Sequence, residues 1–432
     1  MTTVAIAGLT HLGIVTGAGL ASRGFRVIAW DADEARIERL AAGDPIVSEP
    51  DLRELLQRHG ARLNFTSDIA DLSEADLVYI AADVPTDERG VSELDGIQDL
   101  LDRVIEVLGP EAILTILCQV PPGFTRCQKQ PLDRLYYQVE TLIFGRAVER
   151  ALKPERYIVG CADPARPLPE ALQEALSAGG CPILPMRYES AELAKISINC
   201  FLVAQVATTN TLAEICETIG ADWSEIAPAL RLDARIGPRA YLAPGLGISG
   251  GNLERDLATV SALSRATDTE SGTVDAWRVN SAWRKDWLMR CFERATADRV
   301  IDPRVAVLGM AYKENTDSIK NSPSIAFLEQ LKGRRVRAHD PVVPRSAAPA
   351  GIEVVGAALD ACDDADVLVI ATAWPDYGSL DLADITARMS GRVLIDPFGV
   401  YESQKPSSQG FEWYRLGVGE VGEGEAEGSA AR

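Results

Sequence analysis

Apolar, β-branched runs closed by glycine or aspartate alternate with helix-compatible stretches over the first part of the chain. TVAIAG at 3–8 ends in Gly8, LGIVTGAGLASRG follows from Leu12, and FRVIAW at 25–30 stops at Asp31. A strand, a tight turn, a helix and a second strand of this length make one βαβ unit. Runs at 77–81 (LVYIA) and 112–118 (AILTILC), then YIVG at 157–160 and CPILPM at 181–186, predict the further strands of a mostly parallel sheet covered on both faces. From Glu189 to Gly220 apolar residues recur at helical spacing with no proline, which predicts one long helix ended by a glycine. Helical patterning continues to about residue 298, broken at 235–251 by the glycine- and proline-rich RIGPRAYLAPGLGISGG, a predicted loop. Strands return with VAVLGMAYK at 305–313, VRAHDP at 336–341, VLVIAT at 367–372 and VLIDP at 393–397. The expected fold class is α/β, with two doubly wound parallel-sheet domains joined by a long central helix and its helical region. The tail from Gly417 is acidic and glycine-rich with no apolar period, and is expected to be disordered.

Composition narrows the partners more than the fold. At about 150 residues per domain, 432 residues with 47% hydrophobic content suggest two or three domains. Lys and Arg total 43 against 63 Asp and Glu, a formal charge of −20 that opposes nucleic acid and anionic membrane surfaces. The N-terminal segment lacks a basic leader, and no uninterrupted apolar stretch reaches the roughly 20 residues of a span. The eight cysteines form no CxxC pair and there are three histidines, so no metal site is expected. A cytoplasmic protein with reduced thiols is the expectation.

Two patterns carry chemistry. GLTHLG at 8–13 lies between a predicted strand and helix, with Asp31 ending the next strand. This is a dinucleotide-binding, Rossmann-like layout: glycines bring a helix N-terminus to a pyrophosphate, and the acid bonds a ribose 2′-OH. The middle glycine is replaced by Thr10, and Asp31 would repel a 2′-phosphate, which favours NAD over NADP. On the long helix, Lys195 and Asn199 are one turn apart and share a face, so an ammonium and an amide can address one oxygen.

Further segments match one family in order. WDADEARIERLAAGDPIVSEPDL at 30–52, VPTDERGVSELDGI at 84–97, VPPGFTR at 120–126, the helix with Lys195 and Asn199, RIGPRAYLAPGLGISGGNLERD at 235–256 and GMAYKENTDSIKNSP at 309–323 resemble successive segments of the UDP-glucose/GDP-mannose dehydrogenase family. The resemblance implies an NAD-binding Rossmann domain at 1–188 and a helical, dimerising centre at 189–298 that carries the substrate loop 235–256. It further implies a Rossmann-like sugar-nucleotide domain at 299–416, ahead of the tail 417–432. The implied partners are a nucleoside-diphosphate sugar and a second copy of the chain.

Residue by residue, the resemblance implies that Lys195 and Asn199 stabilise the alkoxide formed as hydride leaves, and that Asp256 works with the lysine in proton removal. Glu140 matches a retained acid of the site. Gly8, Leu12, Gly13, Asp31, Arg36, Thr86 and Gln119 are expected at the cofactor, with Arg255 and Lys320 facing its phosphates. Arg235, Gly250, Gly251, Asn252 and Gln119 are expected at the sugar nucleotide, Arg235 reaching it across a dimer.

The departures decide the predicted reaction. Four residues before Asp256, where the family has a nucleophilic cysteine, stands Asn252, and 231–256 contains no cysteine. That cysteine forms the thioester needed for a second oxidation, which an amide cannot do. Gln119 and Phe144 replace a family threonine and glutamate, and Asp396-Pro397-Phe398-Gly399 departs from the family's substrate-contacting segment. The leading expectation is a single two-electron oxidation of a sugar carbinol, a secondary alcohol going to a ketone. This resembles the branch of the family in lincosamide antibiotic pathways that acts on a GDP-octose. The alternatives are four-electron oxidation to a uronic acid, an epimerase holding NAD, and a non-catalytic homologue that binds sugar nucleotide.

Overall fold

Eight of the chain's extended segments assemble into one sheet. They are β1 (Thr3–Ala7), β2 (Arg26–Trp30), β3 (Leu63–Thr66), β4 (Leu77–Ile80), β5 (Ile113–Ile116), β6 (Leu135–Gln138), β7 (Tyr157–Cys161) and β8 (Ile183–Arg187). Their order is β3-β2-β1-β4-β5-β6-β7-β8. The computed structural model describes residues 2–87, 91–297 and 302–419, and the chain divides into two units, 1–198 and 199–432.

In the first unit every pairing is parallel except β6 with β7, where Tyr137 faces Gly160 and Gln138 faces Val159. The first five strands follow the doubly wound order, with a switch point beside β1. Helices α1 (His11–Ser22), α2 (Glu34–Ala41), α3 (Leu52–His59), α5 (Ala147–Leu152) and α6 (Glu170–Ser177) bury their apolar sides on one face of the sheet. α4 (Asp95–Val107) and the start of α7 (Tyr188–Ile219) cover the other. That is why β1 and β4 are apolar at nearly every position: neither face meets water.

α7 is long and apolar enough to cross a membrane by length and hydropathy alone. Its first half is instead built into the first unit. Glu192 is fully buried and accepts backbone N–H bonds from Gly123 (2.6 Å) and Thr125 (2.9 Å).

The second unit holds α8 (Trp223–Leu232), α9 (Asn252–Ala266), α10 (Gly272–Lys285) and α11 (Trp287–Thr296), followed by a second sheet. Its strands are β9 (Val305–Leu308), β10 (Val336–His339), β11 (Glu353–Val354), β12 (Val367–Ile370), β13 (Val393–Ile395) and β14 (Glu412–Tyr414). They are all parallel, in the order β11-β10-β9-β12-β13-β14, with α12 (Pro323–Gln330) after the first βα turn. This is the same winding as the first sheet's leading strands. The turn chemistry repeats too: Gly309 at φ +107° follows β9, and Asp340 follows β10 and accepts from Met310 N at 2.7 Å.

The start of the predicted tail is corrected. Gly417 N donates to Glu217 at 2.9 Å, Trp223 N donates to the Gly417 carbonyl at 2.8 Å, and Val418 pairs with Asp222. Glycine is needed there because a Cβ on Gly417 would lie 2.7 Å from the Trp223 Cβ. The rest of the tail, 420–432, lies outside the described residues.

Candidate active site

The first βα turn of the first unit is shaped by what cannot fit. A Cβ on Gly13 would sit 2.0 Å from the Gly8 carbonyl oxygen, and one on Gly8, at φ +96°, 3.0 Å from Ala82 N. Thr10 stands where the pattern asks for a glycine, but its side chain turns away and donates to the Ala81 carbonyl at 2.9 Å. It thus ties the turn to the end of β4 and leaves the start of α1 open, with no acidic side chain in the first turn. An N-terminus of this kind favours an anion.

Asp31 is nearly buried and accepts from Leu9 N (2.7 Å), Asp33 N (3.0 Å) and Arg36 Nη1 (3.0 Å). A carboxylate offers about four acceptor positions, so one remains for a ribose hydroxyl. The Arg36 guanidinium is held by Asp31 and by Asp33 at 3.9 Å, so it is not a free cation awaiting a 2′-phosphate. These residues fit NAD. Gly13→Ala is expected to weaken NAD binding by about tenfold or more, because the added methyl meets backbone that cannot yield; calorimetry with NAD measures it.

Other positions of the first unit gather at the C-terminal ends of its strands. Gln119 is half-buried after β5, next to Cys118, whose Sγ lies 3.3 Å from the Ile80 carbonyl. Thr86 pairs with Ser92. Glu140 follows β6, and burial raises its pKa above the usual carboxylate range against the opposing pull of the Thr141 N–H, Arg150 and Lys195. Two residues escaped the sequence reading. Glu192 fastens the 123–125 turn to α7 one turn ahead of Lys195. His11 lies 3.1 Å from the buried Glu49 and edge-on to Phe144 at 4.7 Å, while Glu49 also accepts from Gly145 N and Ala147 N. His11 was legible only as a turn residue, since its partner is 38 positions away.

In the second unit Asn199 donates its Nδ2 to Asp256 Oδ2 at 2.5 Å, with both side chains buried. Asp256 lies just past the first turn of α9, whose first-turn acid is Glu254, and at 1% exposed it is no ordinary solvated acid. The second amide hydrogen of Asn199 is left to address another acceptor. Arg255 is also buried. Its Nη2 donates to Asn252 Oδ1 at 3.0 Å and its Nε lies 4.0 Å from Asp256. Within its unit Arg255 thus addresses Asn252 and the Asp256 carboxylate.

Loop 235–256 is fastened to the segment after β9. Gly250, at φ +77°, donates its N–H to the Lys320 carbonyl at 3.1 Å, and Asn321 Nδ2 donates to the Gly250 carbonyl at 2.9 Å and to Glu254. A Cβ on Gly251 would lie 3.1 Å from Lys320 Nζ, so the lysine side chain runs close along the loop backbone there. Lys320 therefore lines the loop. Arg235 is not brought to Asp256 by its own chain: it forks onto Asp233 (3.0 and 2.7 Å) with its side chain 88% exposed. Asp396, fully buried, accepts from Tyr401 N at 3.0 Å and organises the turn that carries Phe398.

The cysteines bear on the chemistry as well. All eight are free. Cys200, adjacent to Asn199, has its thiol pushed up to about 11 by burial and then by the Asp256 charge, so it stays protonated near neutral pH.

Comparison with known proteins agrees with this geometry. The UDP-glucose/GDP-mannose dehydrogenase family matches through its NAD binding domain at residues 2–175, its central domain at 189–282 and its UDP binding domain at 306–403. The UDP-glucose 6-dehydrogenase TuaD of Bacillus subtilis is 27% identical over 96% of this chain and 93% of its own. The UDP-glucose 6-dehydrogenase of Pseudomonas aeruginosa is 27% identical over 99% of both. The structure of a UDP-glucose dehydrogenase from Pyrobaculum islandicum superposes with a TM-score of 0.85 at 26% identity, covering 97% of this chain and 98% of that one. Three matched domains in order, on two doubly wound sheets with a dinucleotide turn, place the chain in the UDP-glucose/GDP-mannose dehydrogenase family of NAD-dependent enzymes acting on nucleotide sugars.

Proposed function

We propose that this enzyme performs one two-electron oxidation of a nucleotide sugar and stops at a carbonyl. The observation that carries this reading is Asn252, four residues before Asp256, with its Oδ1 taken by Arg255 where a second oxidation needs a thiolate. Cys200 does not replace that thiolate, since its thiol stays protonated. Phe144, packed on His11, offers no acid or base for hydrolysing a thioester.

The reaction follows from the residues. Gly8, Leu12, Gly13 and Asp31, with Thr86 and Gln119, hold the NAD, which when bound supplies the hydride acceptor. Lys195 and Asn199, on one face of α7, donate N–H groups to the substrate oxygen as it gains negative charge. Asp256 fixes the Asn199 amide and, with Lys195, draws off the hydroxyl proton. Gly250, Gly251, Asn252 and Lys320 approach the sugar nucleotide. A secondary carbinol is the preferred substrate, because a ketone has no hydrogen left for a second hydride transfer and needs no covalent tether. We assign the enzyme to the lincosamide-type branch of antibiotic biosynthesis, with a GDP- or UDP-linked sugar as substrate and a cytoplasmic location.

The test is to treat the product with borodeuteride: the expected result is the substrate sugar carrying one deuterium at one ring or chain carbon. The names of the relatives favour a second reading, oxidation at carbon 6 through to the acid. Under that reading another cysteine serves as nucleophile, and Cys200 is the one near Asp256. Cys200→Ala is therefore expected to keep turnover within about twofold; a loss of a hundredfold in steady-state assays supports the second reading.

A homodimer through α7 completes the proposal. Phe201, Leu212, Ile215 and Ile219 on this helix are exposed, Phe201 by 73% and Ile219 by 69%. Monomers rarely leave such a stripe in water. Light scattering at twice the chain mass is expected, and Phe201→Glu should shift it to the chain mass.

A further inference from the structure

Behind Glu140, on the α1, α5 and α6 side of the first sheet, lies a polar cavity. Thr16, Tyr79, Gln138, Glu140, Arg150 and Glu155 are among its lining residues. Measured as the space open to water centres it is about 50 Å³, and one water needs about 10–15 Å³ on that measure, so there is room for about three to five. Gln138 is 4% exposed and its Oε1 has no hydrogen-bond partner among the described residues. A buried carbonyl oxygen left without a donor is destabilising, and a water in the cavity removes that cost. The three arginines that line it are already engaged: Arg150 donates to the Thr141 carbonyl at 2.8 Å and to its Oγ1 at 3.0 Å, Arg23 to Tyr157 Oη at 3.1 Å, and Arg156 to Glu155 at 3.2 Å. The cavity is thus built for water rather than for an anion. Of its lining residues, Glu155 has a side chain half exposed to solvent.

We propose that this cavity is the route by which the proton of alcohol oxidation leaves the enzyme, with Glu140 at its inner end and Gln138 ordering its waters. The proposal rests on the dehydrogenase reading above. Each turnover converts a secondary carbinol and NAD+ to the ketone, NADH and one H+. The hydride goes from the carbinol carbon to the nicotinamide, and the hydroxyl proton replaces one that Lys195 passes to the Glu140 carboxylate. Glu140 hands it to the first water of the cavity, and it exits near Glu155. Lys195 and Arg150 are the positive charges that act on Glu140, while Tyr79 and Tyr157 also face it through space and are themselves acted on by Arg23. The raised proton affinity that burial gives Glu140 suits a carrier that must accept a proton from an ammonium and release it again.

Gln138→Leu keeps the bulk of the side chain and removes the group that holds the water. The expected result is a kcat lower by about tenfold, unchanged sugar-nucleotide KM and NAD affinity, and a solvent deuterium isotope effect on kcat larger than in wild type. Glu140→Gln should show a larger loss that formate partly restores, and the double variant should lose no more than Glu140→Gln alone. A high-resolution crystal structure of the unliganded enzyme, independent of turnover, should place waters within hydrogen-bond distance of Gln138 Oε1 and Glu140. A dry cavity, or a Gln138→Leu enzyme with wild-type kcat and isotope effect, overturns the route. So does a slower Gln138→Leu enzyme with an unchanged isotope effect and a lowered unfolding midpoint. The function reading is judged separately, by whether wild type forms NADH from its sugar nucleotide at all.

Discussion

Lys195→Ala is expected to lower kcat by about 10²–10³, roughly 3–4 kcal/mol of lost charge stabilisation at the reacting oxygen. Lys195 is half-buried on α7, one turn before Asn199, and its charge acts on Glu140. Its removal therefore takes away both a donor to the substrate oxygen and a charge that acts on Glu140. NAD affinity and sugar-nucleotide KM should change by less than about threefold, because the interaction is strongest when the oxygen is charged. Lys195→Arg should not rescue turnover: a planar guanidinium neither occupies the ammonium's position nor gives up a proton. Steady-state kinetics with both variants checks this, and a loss confined to KM would assign Lys195 to ground-state binding instead.

The largest effect on stability is expected from Arg284→Met. Arg284 is 1% exposed and holds Glu214 at 3.1 Å, Glu217 at 3.2 Å and the Gly245 carbonyl at 3.1 Å. Glu214 keeps Arg290 at 2.9 Å when Arg284 is lost, but Glu217 is left with only neutral donors, Trp287 Nε1 and Gly417 N. Removing one partner of a buried ion pair costs about 3–5 kcal/mol, because the other charge stays buried. The same change takes the arginine donor from the Gly245 carbonyl within the substrate loop, leaving its N–H on Asn210, so activity should fall with stability. Adding Glu217→Gln should recover part of the loss. Denaturant unfolding of the three proteins decides it, and equal stabilities for the single and double variants would mean that packing rather than charge is responsible.

Both sheets were legible because their central strands are apolar at nearly every position, a pattern that burial on two faces imposes. The strands that escaped notice, β3, β6, β11 and β14, are short or carry polar ends: β3 (LNFT) has no fully buried position, and β6 ends in Gln138. Gly8, Gly13 and Asp31 were legible for a different reason. Backbone geometry leaves no other choice at the glycines, and the acid serves the turn before it serves a ligand. Thr10 misled only while its side chain had no direction; the Ala81 carbonyl supplies one. Spacing along one helix brought Lys195 to Asn199. The contact of Asn199 with Asp256 spans 57 positions and entered through resemblance alone. What stayed hidden is of two kinds: Arg255 turned onto Asn252 and Arg235 forked on Asp233 are local pairings that spacing does not single out, whereas Glu192 beneath the 123–125 turn and the cavity behind Glu140 join side chains from distant segments.

The central claim is that the chemistry stops after one hydride, and the count of NADH per sugar tests it most directly. With limiting sugar nucleotide from a panel of UDP- and GDP-sugars, seven- and eight-carbon ones included, and excess NAD, absorbance should report one NADH per sugar consumed. The product mass should be lower by two hydrogens. Two NADH per sugar with a carboxylate product would contradict the account, and would mean that the missing cysteine at position 252 is replaced by another nucleophile.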